Sequence, residues 1–500
     1  MTDRLFIGLD AGTSVTKAAV FDTSGRQLAV AQRSTTIHRP QEGWSELDPG
    51  ACWQAALEVI TEVVAGLGAD RRAIAGIGLS AAMVGAWVLD AQGTPLRPAI
   101  TWEDSRAQGL IAAHIARDPQ FLQRIFAASG SVMQQGCTLP VMAWLARHEP
   151  AVLARAAHVV SYKDYLHFRL TGRIATDRSE AAVLPGSTIA RDRSAAMIDL
   201  FGLKRHTHLL PPVLESETVL AGLLPEIAAR LGLPAGLPVT VGTGDVAATI
   251  IGAGGLALGT ATVVLGTACM VGVTSAHPVF KPADIGLLFT LPGRRWYRAM
   301  LNVAGTSNLD WAFATLAPDL AQRLDRFAEL DRMLDATPPG AQGLTYLPYL
   351  SDSGIIAPRV NPHARAQFDG LSPRHDRACL FRAVVEGVAF AIRDLLDALL
   401  FKGDRLLLVG GGAQNERWVQ MICDVVGKPV IVPEGSQFGA RGAALLAATA
   451  AGIFADIIQA AASVSSNGRI YQPDSTRATE FAPAIARYGH ARDRLGQTDR

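Results

Sequence analysis

The sequence has few cysteines, and none of them form a closely spaced pair. The five cysteines, Cys52, Cys137, Cys269, Cys379 and Cys423, are scattered and odd in number. A disulfide framework or a zinc site is therefore not expected; reduced, mostly buried thiols are. The N-terminus also lacks the charged-then-apolar pattern of a secretory signal. These absences predict a cytoplasmic protein.

Charge is also scarce, at 18% of residues, and nearly balanced, with a formal net charge of +1. This balance gives no general attraction to nucleic acid or to an anionic membrane, so an anion has to be bound by local geometry. Residues 246–280 contain no Lys, Arg, Asp or Glu, a length that could span a bilayer. Frequent Gly and Thr turn signals instead favour a small-residue helix followed by two buried strands.

The chain does have enough apolar residues for large cores, and each half of it begins with a similar segment. Of the 500 residues, 49% are apolar, and about 150 residues per domain allows two to four domains. "IGLDAGTSVTKAAVFD" (7–22) predicts a strand, a Gly-Thr-Ser turn and a second strand, and "ATVVLGTACMVGVTSA" (261–276) repeats this pattern. The order of elements predicts an α/β fold with mixed sheets in two lobes, residues 1–252 and 253–500.

The first of these segments, residues 7–22, contains a candidate phosphate site with an acid beside it. Backbone N–H groups of a turn at Gly12, together with the hydroxyls of Thr13 and Ser14, can cradle phosphate oxygens. Asp10 would repel a phosphate, but it could hold Mg²⁺ through water, with the metal bridging the phosphates. The alternative is an ordinary hairpin in which Asp10 caps the turn amides.

A second acid, Asp245, follows the strand-like run "VTVGTG" and opens a small-residue helix. Ligand sites of α/β proteins gather at the carboxyl ends of strands. An isolated carboxylate there could act as a general base toward a substrate hydroxyl. The alternative is a plain helix cap.

Three glycines end the strand in "LLLVGGGAQNERW" (406–418) and would let the flat face of a ligand approach the backbone. Asn415 could then donate or accept a hydrogen bond with a ribose or a base. This strand end lacks the GxGxxG fingerprint, which disfavours a dinucleotide site. A tight strand-to-helix turn is the alternative interpretation.

In "TWEDSRA" (101–107), Trp102, Asp104 and Arg106 would alternate on one side of an extended segment. An acid and an arginine can bind the hydroxyls of a polyol, and an aromatic face can cover its C–H surface. The alternative is a surface ion pair beside a half-buried tryptophan.

Taken together and in this order, the motifs resemble those of the FGGY carbohydrate kinases, and among them the xylulokinases. The resemblance covers nearly the whole chain, to about residue 460. It is carried by "GLDAGTS", "WSELDP", "TWEDSRA", "YKDYLHFRLTG", "GTGDVAA", "VLGTA", "TYLPYLS", "AVVEGVAFAIRD" and "GGGAQNERWVQMICDVVGKPV".

The resemblance implies two actin-like ATPase (ribonuclease H-like) lobes that close on a deep cleft. The sugar would bind to the N-terminal lobe, and ATP mainly to the C-terminal lobe. Carried over by position, the resemblance implies a general base at Asp245 and a Mg²⁺-associated acid at Asp10. It implies phosphate-binding hairpins at Gly12, Thr13 and Ser14 and at Gly266 and Thr267. It also implies adenosine contacts at Gly411, Gly412 and Asn415, and sugar contacts at Met83, Trp102, Asp104 and Arg106.

The chain departs from the xylulokinase pattern where the sugar would bind. Ala82-Met83-Val84 stands where Gln-Met-His is usual, and Val246 stands where Asn is usual; "DSGIIAP" replaces a Gly-Glu-Arg-Thr-Pro run. The first two changes remove polar partners, so hydroxyls of the usual sugar would be left unpaired. The resemblance therefore predicts a kinase of a ketose (a pentulose such as xylulose) or a related polyol, without fixing D-xylulose.

The expected partners are ATP, Mg²⁺ and the small sugar or polyol, with no nucleic acid and no membrane; a homodimer is compatible with the resemblance. Two alternatives from other classes stand beside the kinase. One is an actin- or chaperone-like ATPase switch, and the other is a degenerate sugar-sensing protein without kinase activity. Sugar-dependent release of ADP separates the kinase from both.

Overall fold

The computed structural model describes residues 4–465 and 468–495. The elements up to residue 252 are β1 (Leu5–Ala11), β2 (Val15–Phe21), β3 (Gln27–Ser34), β4 (Glu46–Leu47), α1 (Pro49–Gly66), β5 (Ile74–Ala81), β6 (Trp87–Leu89), β7 (Ala99–Ile100), α2 (Gln108–Arg117), α3 (Phe121–Ser129), α4 (Thr138–His148), α5 (Pro150–Arg155), β8 (His158–Val160), α6 (Tyr162–Thr171), β9 (Thr176–Asp177), α7 (Arg178–Ala182), α8 (Ala195–Leu200), β10 (Val213–Leu214), β11 (Val219–Gly222), α9 (Pro225–Leu231), β12 (Pro238–Thr240), β13 (Thr243–Gly244) and α10 (Asp245–Gly252).

The elements after residue 252 are β14 (Ala261–Leu265), β15 (Cys269–Ser275), β16 (Leu287–Leu291), β17 (Arg295–Asn302), α11 (Ser307–Leu316), α12 (Arg326–Ala336), β18 (Thr345–Leu347), β19 (Gln367–Asp369), α13 (Arg377–Ala398), β20 (Leu406–Val409), α14 (Glu416–Val426), β21 (Val430–Pro433), α15 (Phe438–Ala450), α16 (Ile457–Ser465), β22 (Gly468–Tyr471) and α17 (Ser475–Leu495).

Two mixed sheets of the same construction form the centres of the two halves. The N-terminal sheet has the order β11-β12-β5-β1-β2-β3, and the C-terminal sheet has the order β16-β17-β15-β14-β20-β21-β22. Read from β3 in the first sheet and from β17 in the second, successive pairs are antiparallel, antiparallel, parallel, parallel and antiparallel. The predicted repetition of the strand-turn-strand segments is confirmed, and the same pattern of strand pairing extends through both sheets.

Local sequence signals position the elements as predicted. Helix α1 begins at Pro49, and the Asp48 carboxylate caps it by accepting the N–H of Gly50 at 2.8 Å. The charge-free stretch forms α10, β14 and β15, which confirms the predicted helix and two strands. Among residues 4–465 and 468–495, no helix is both long and apolar enough to cross a membrane.

The five cysteines are all buried, and none is in a disulfide. Burial in apolar surroundings raises the pKa of Cys137 and Cys269 to about 12, which keeps both as thiols. The prediction of reduced, structural cysteines is confirmed.

Helix α15 crosses from the C-terminal half of the sequence onto the N-terminal sheet, where glycines allow backbone contact. A Cβ at Gly78 would lie 1.7 Å from the carbonyl oxygen of Ala443, and one at Gly8 would lie 1.7 Å from that of Ala440. On its other side, α15 meets α10 just as closely, since a Cβ at Gly442 would lie 1.9 Å from a carbonyl oxygen of α10. The small residues of α15 therefore allow its backbone to pack directly against the N-terminal sheet and against α10.

We expect Gly78→Val to destabilise the protein by about 3 kcal/mol or more, because the added side chain overlaps the backbone of α15 and forces the helix off the sheet. Gly489→Ala is the matched control, because Gly489 lies inside α17 with nothing within 4 Å of its would-be Cβ. This variant should stabilise the protein by about 0.5–1 kcal/mol. Thermal unfolding of both variants measures this. A Gly78→Val protein as stable as the wild type would show that the contact is not tight.

Candidate active site

The strand register brings the two predicted acids to the same edge of the N-terminal sheet. Ser80 on β5 pairs with Asp10 on β1 at one side and with Thr243 on β13 at the other. Because neighbouring strands lie about 4.8 Å apart, the backbones of Asp10 and Thr243 are about 10 Å apart, with Ser80 between them. Asp245 is two residues beyond Thr243 and is the first residue of α10. Two acids distant in the sequence thus face one space.

The carboxylate of Asp10 is held from two sides. Its Oδ1 accepts the Ser80 hydroxyl at 2.9 Å. Its Oδ2 faces Gly439, where a Cβ would lie only 2.2 Å away. Burial raises the pKa of Asp10, and the Ser80 hydrogen bond and the charge of Lys17 act against that rise.

The carboxylate of Asp245 lies at the N-terminus of α10, where its Oδ1 accepts the N–H of Val246 at 2.8 Å. Burial raises its pKa to about 7, and the negative charge of Asp10 contributes to the rise. The predicted position at the start of a helix after a strand is therefore confirmed. An acid with a pKa near 7 can both accept and release a proton at neutral pH.

The first hairpin turn lies beside this acid pair. Gly12 donates its N–H to the carbonyl oxygen of Val15 at 3.0 Å and closes the turn. The Thr13 hydroxyl accepts the indole N–H of Trp102 at 3.0 Å, and Ser14 is exposed. Trp102 itself is 47% exposed. The turn residues and the tryptophan therefore form one continuous, solvent-accessible wall.

An apolar wall formed by Met83, Val84 and Val246 lies next to Asp245. Met83 is buried and packs on Gly244, where a Cβ would lie 2.5 Å from its Sδ. Val84 adopts a positive φ of 57°, which is strained for a β-branched residue, and donates its N–H to Glu180 at 2.6 Å. With Val246 partly buried next to the acid, this wall offers a ligand few polar side-chain groups.

The predicted placement of Asp104 and Arg106 beside Trp102 on one extended face is wrong. Both side chains are buried, and Trp102 is exposed. The Asp104 carboxylate accepts the backbone N–H of Arg106 at 2.9 Å, which bends the segment into a turn.

The Asp104–Arg106 pair is also fully engaged with its neighbours. Each oxygen of Asp104 accepts two hydrogen bonds, from the Arg106 backbone and guanidinium and from the Ser45 N–H. The guanidinium also donates to Glu46 at 2.7 Å and stacks 3.9 Å from the Trp44 ring. The pair shapes the loop that carries Trp102 and leaves Asp104 no acceptor for a sugar hydroxyl.

The second hairpin turn, at Gly266 and Thr267, packs against the start of α11. The backbone N–H of Gly305 donates to the Thr267 carbonyl at 2.6 Å, and that of Thr306 donates to the Gly266 carbonyl at 2.7 Å. Thr267 is exposed. The turn carbonyls are therefore occupied, and the exposed hydroxyl of Thr267 remains accessible from solvent.

A cavity of about 700 Å³ opens next to this turn and brings together the remaining predicted residues. Gly411, Gly412 and Asn415 line it with Thr306. The Asn415 oxygen caps α14 by accepting the N–H of Trp418, and its amide donates to Asp331, whose side chain also lines the cavity. Asn415 thus has a structural role as the strand-to-helix cap in addition to its place at the cavity.

The start of α15 links the acid pair to the glycine-lined cavity. Gly439 contacts Asp10, and the neighbouring Phe438 packs in one cluster with Val409, the last residue of β20 before the glycines. Two consecutive residues of one helix therefore contact the structures beneath both regions.

Sequence reasoning missed several residues of this site. Ser80 and Gly439 contact Asp10. Ser179 and Glu180 accept the backbone N–H groups of Gly244 and Val84 beside Asp245. The only local signal was the Asp177-x-Ser-Glu spacing of a helix cap, which indicates a helix start and no ligand site. The other contacts join residues that are far apart in the chain.

Comparison with known proteins agrees with this architecture. Family models match the N-terminal domain of the FGGY family of carbohydrate kinases over residues 5–252 and the C-terminal domain over residues 261–451. The xylulose kinase of Escherichia coli (strain K12) is 35% identical over 454 residues, covering 89% of this chain and 90% of that protein. The erythritol kinase of Brucella abortus (strain 2308) is 33% identical, covering 98% and 96%.

A crystal structure of a xyloylose kinase from Brucella ovis superposes with a TM-score of 0.88 at 33% identity, covering 99% of this chain and all of that one. The two repeated sheets are those of the actin-like ATPase fold. The chain belongs to the FGGY family of carbohydrate kinases. It is a phosphotransferase, and carbohydrate kinases use ATP as the phosphoryl donor.

The raised pKa of Asp245 predicts a pH-dependent stability difference for Asp245→Asn in the metal-free protein. The folded pKa is about 7 and the ordinary value is 3.8, so the folded state binds the proton more tightly. The stability that the Asp245 carboxylate contributes therefore falls as pH rises between these values, and the asparagine variant lacks this fall. We expect the variant to gain about 3 kcal/mol relative to the wild type between pH 4 and pH 8.

Thermal unfolding at both pH values, with a chelator present, measures this gain. Asp199→Asn, at an exposed position, controls for the loss of one negative charge. A stability difference between Asp245→Asn and the wild type that is independent of pH would mean that folding does not raise the pKa of Asp245.

Proposed function

We propose that the protein transfers the γ-phosphoryl group of ATP to a terminal hydroxyl of a short ketose or polyol, a pentulose such as xylulose or a related polyol. The observation that supports this best is the pair of carboxylates, Asp10 and Asp245, beside the Gly12–Ser14 turn. Phosphoryl transfer requires alignment and charge stabilisation more than covalent help from the protein. Two acids of different role next to a phosphate-type turn suit that chemistry.

Asp245 acts as the general base in this proposal. Its carboxylate accepts the proton of the attacking hydroxyl, and its pKa near neutrality suits that task. The position at the start of α10 fixes the carboxylate relative to the helix backbone, through the Val246 N–H. Proton acceptance by a positioned carboxylate contributes about 10²–10⁴-fold to the rate.

The two Gly-Thr turns hold the phosphates, and the cavity lined by Gly411, Gly412 and Asn415 holds the adenosine. Turn N–H groups and threonine hydroxyls are suitable donors for phosphoryl oxygens. The glycines give a flat base access to the backbone. The sugar then binds beside Met83 and Trp102, and closure around both ligands would limit wasteful hydrolysis of ATP.

The residues near Asp10 fit Mg²⁺ bound mainly through a nucleotide. In the part of the chain that the structure describes, no group of three or more His, Cys, Asp or Glu side chains is arranged to hold a metal. Mg²⁺ is commonly held by one or two carboxylates together with substrate phosphates and water, and Asp10 provides such a carboxylate. When bound there, Mg²⁺ would neutralise charge on the phosphates.

The apolar wall of Met83, Val84 and Val246 supports a substrate with few hydroxyls on the side nearest Asp245. A site without polar partners discriminates against a sugar whose hydroxyls would be buried unpaired. The similar proteins named above are kinases of xylulose and erythritol, and we propose that this substrate is of that size. The proposed partners are ATP and this sugar or polyol; a homodimer stays a prediction.

We expect Asp245→Asn to lower kcat by about 10²–10⁴-fold, because the amide cannot accept the proton of the hydroxyl. Affinity for a non-hydrolysable ATP analogue, measured by calorimetry, should stay within about twofold of the wild type, since Asp245 does not line the adenosine cavity. A folded Asp245→Asn enzyme with near-normal kcat, or one that has lost nucleotide binding, would contradict the proposed role.

A coupled ADP-release screen over pentuloses, hexuloses, tetritols, pentitols and glycerol should identify one substrate class. We also expect Val246→Asn to raise kcat/KM for D-xylulose relative to the best wild-type substrate, because the amide offers a hydrogen-bond partner beside Asp245. Val246→Leu, of similar polarity to valine, is the control and should not show this shift. Absence of sugar-dependent ADP release with every compound would contradict the proposed substrate class.

A further inference from the structure

The short helix α7 lies behind the apolar wall of the proposed substrate site. Two consecutive residues of α7 accept hydrogen bonds from backbone N–H groups at this wall. Ser179 accepts the backbone N–H of Gly244, the residue before Asp245, at 3.0 Å. Glu180 accepts the backbone N–H of Val84 at 2.6 Å. Both side chains are buried, so water does not compete for these contacts.

The hydroxyl of Ser179 is fully engaged. Its Oγ accepts the N–H of Gly244 and lies 2.9 Å from the Thr243 hydroxyl. Its proton goes to the Asp177 carboxylate, 2.7 Å away. A hydroxyl has one donor and two acceptor positions, and all three are used here. Ser179 therefore joins both residues of β13 to a buried acid.

The Asp177 carboxylate that receives this bond is itself firmly anchored. Its Oδ1 lies 3.1 Å from the Lys163 ammonium, which also contacts Asp164 at 2.5 Å. Its Oδ2 accepts a second hydroxyl, that of Ser216, at 2.8 Å. All of these side chains are buried. Breaking one member of such a buried ionic group leaves an unpaired charge, so the group holds its geometry.

The position of β13 decides where Asp245 lies. This strand has only two residues, Thr243 and Gly244, and pairs with Ser80 and Ala81 on β5. Ser80 in turn donates to Asp10. Helix α10 is held from one side by its close packing on α15, and the contact from Ser179 holds the short strand that leads into its first residue.

We propose that Ser179 is a positioning residue for phosphoryl transfer: through the backbone of Gly244 it fixes the Asp245 carboxylate against the acceptor hydroxyl. This inference rests on the proposed role of Asp245 as the general base. A displacement of about 1 Å in a reacting group can cost about 10²-fold in rate. Loss of the Ser179 hydroxyl should therefore reduce kcat, although Ser179 itself contacts neither substrate.

The test compares Ser179→Ala with Ser216→Ala. Both variants delete a buried hydroxyl that donates to the same oxygen of Asp177, so both should lower Tm. Ser179→Ala should lower it further, because it also removes the acceptor of the Gly244 N–H. Only Ser179 contacts Gly244. We expect Ser179→Ala to lower kcat about 10–100-fold with KM for ATP within twofold of the wild type, and Ser216→Ala to keep kcat within threefold. Ser179→Cys keeps a weak acceptor and should give an intermediate kcat.

A Ser179→Ala enzyme with lowered Tm but kcat within threefold of the wild type would overturn the inference, because the hydroxyl would then serve stability alone. An equal fall of kcat in Ser216→Ala would also overturn it. Asp245→Asn separates this inference from the proposed function. If Asp245→Asn is inactive while Ser179→Ala is not, only the positioning role fails; if Asp245→Asn is active, the general base itself is misassigned.

Discussion

Helix α15 lies with its backbone against the N-terminal sheet, and this contact leaves no room for a side chain at Gly8 or Gly78. Because α15 follows a strand of the C-terminal sheet, the contact ties the two halves together at the level of the site. The first residues of the helix then fall where the chemistry is proposed: Gly439 against Asp10, and Phe438 beneath the glycines that follow β20. A larger residue at any of these glycines would separate the acid from the cavity.

Electrostatics at this junction oppose stability. Burial raises the pKa of both Asp10 and Asp245, and the negative charge of Asp10 adds to the rise at Asp245. Perturbed acids of this kind concentrate at functional sites. The surrounding structure maintains the arrangement: Ser80 holds Asp10, and the buried group around Asp177 holds the strand that leads into Asp245. The two acids are thus held in an electrostatically unfavourable arrangement by the hydrogen bonds and ion pairs around them.

The glycine-lined cavity has a different character. Its residues are positioned by ordinary helix capping, with Asn415 at the start of α14 and Thr306 beside the second hairpin turn. None of these contacts requires a buried charge. In the proposed function, the cavity built from backbone turns binds the nucleotide, and the region built around the acids activates the hydroxyl.

Much of the fold was predictable from the sequence because its signals are local. The Asp48-Pro49 helix start, the hairpins at Gly12 and Gly266, and the strand-helix step at Asp245 each depend on a few adjacent residues. The contacts that complete the site are not local. Nothing near Asp104 in the sequence indicates that Ser45 and Glu46 engage it and its arginine, and nothing near Ser179 indicates its contact with Gly244. Such pairings follow only from the tertiary arrangement of the sheets.

The most direct test of the account is a crystal structure of the protein with a non-hydrolysable ATP analogue, Mg²⁺ and the preferred sugar or polyol. We expect the phosphoryl-accepting oxygen to lie about 2.6–3.2 Å from the Asp245 carboxylate, with the terminal phosphate between the turns at Gly12 and Gly266. An acceptor hydroxyl bound away from Asp245, or a nucleotide outside the cavity lined by Gly411 and Gly412, would contradict it.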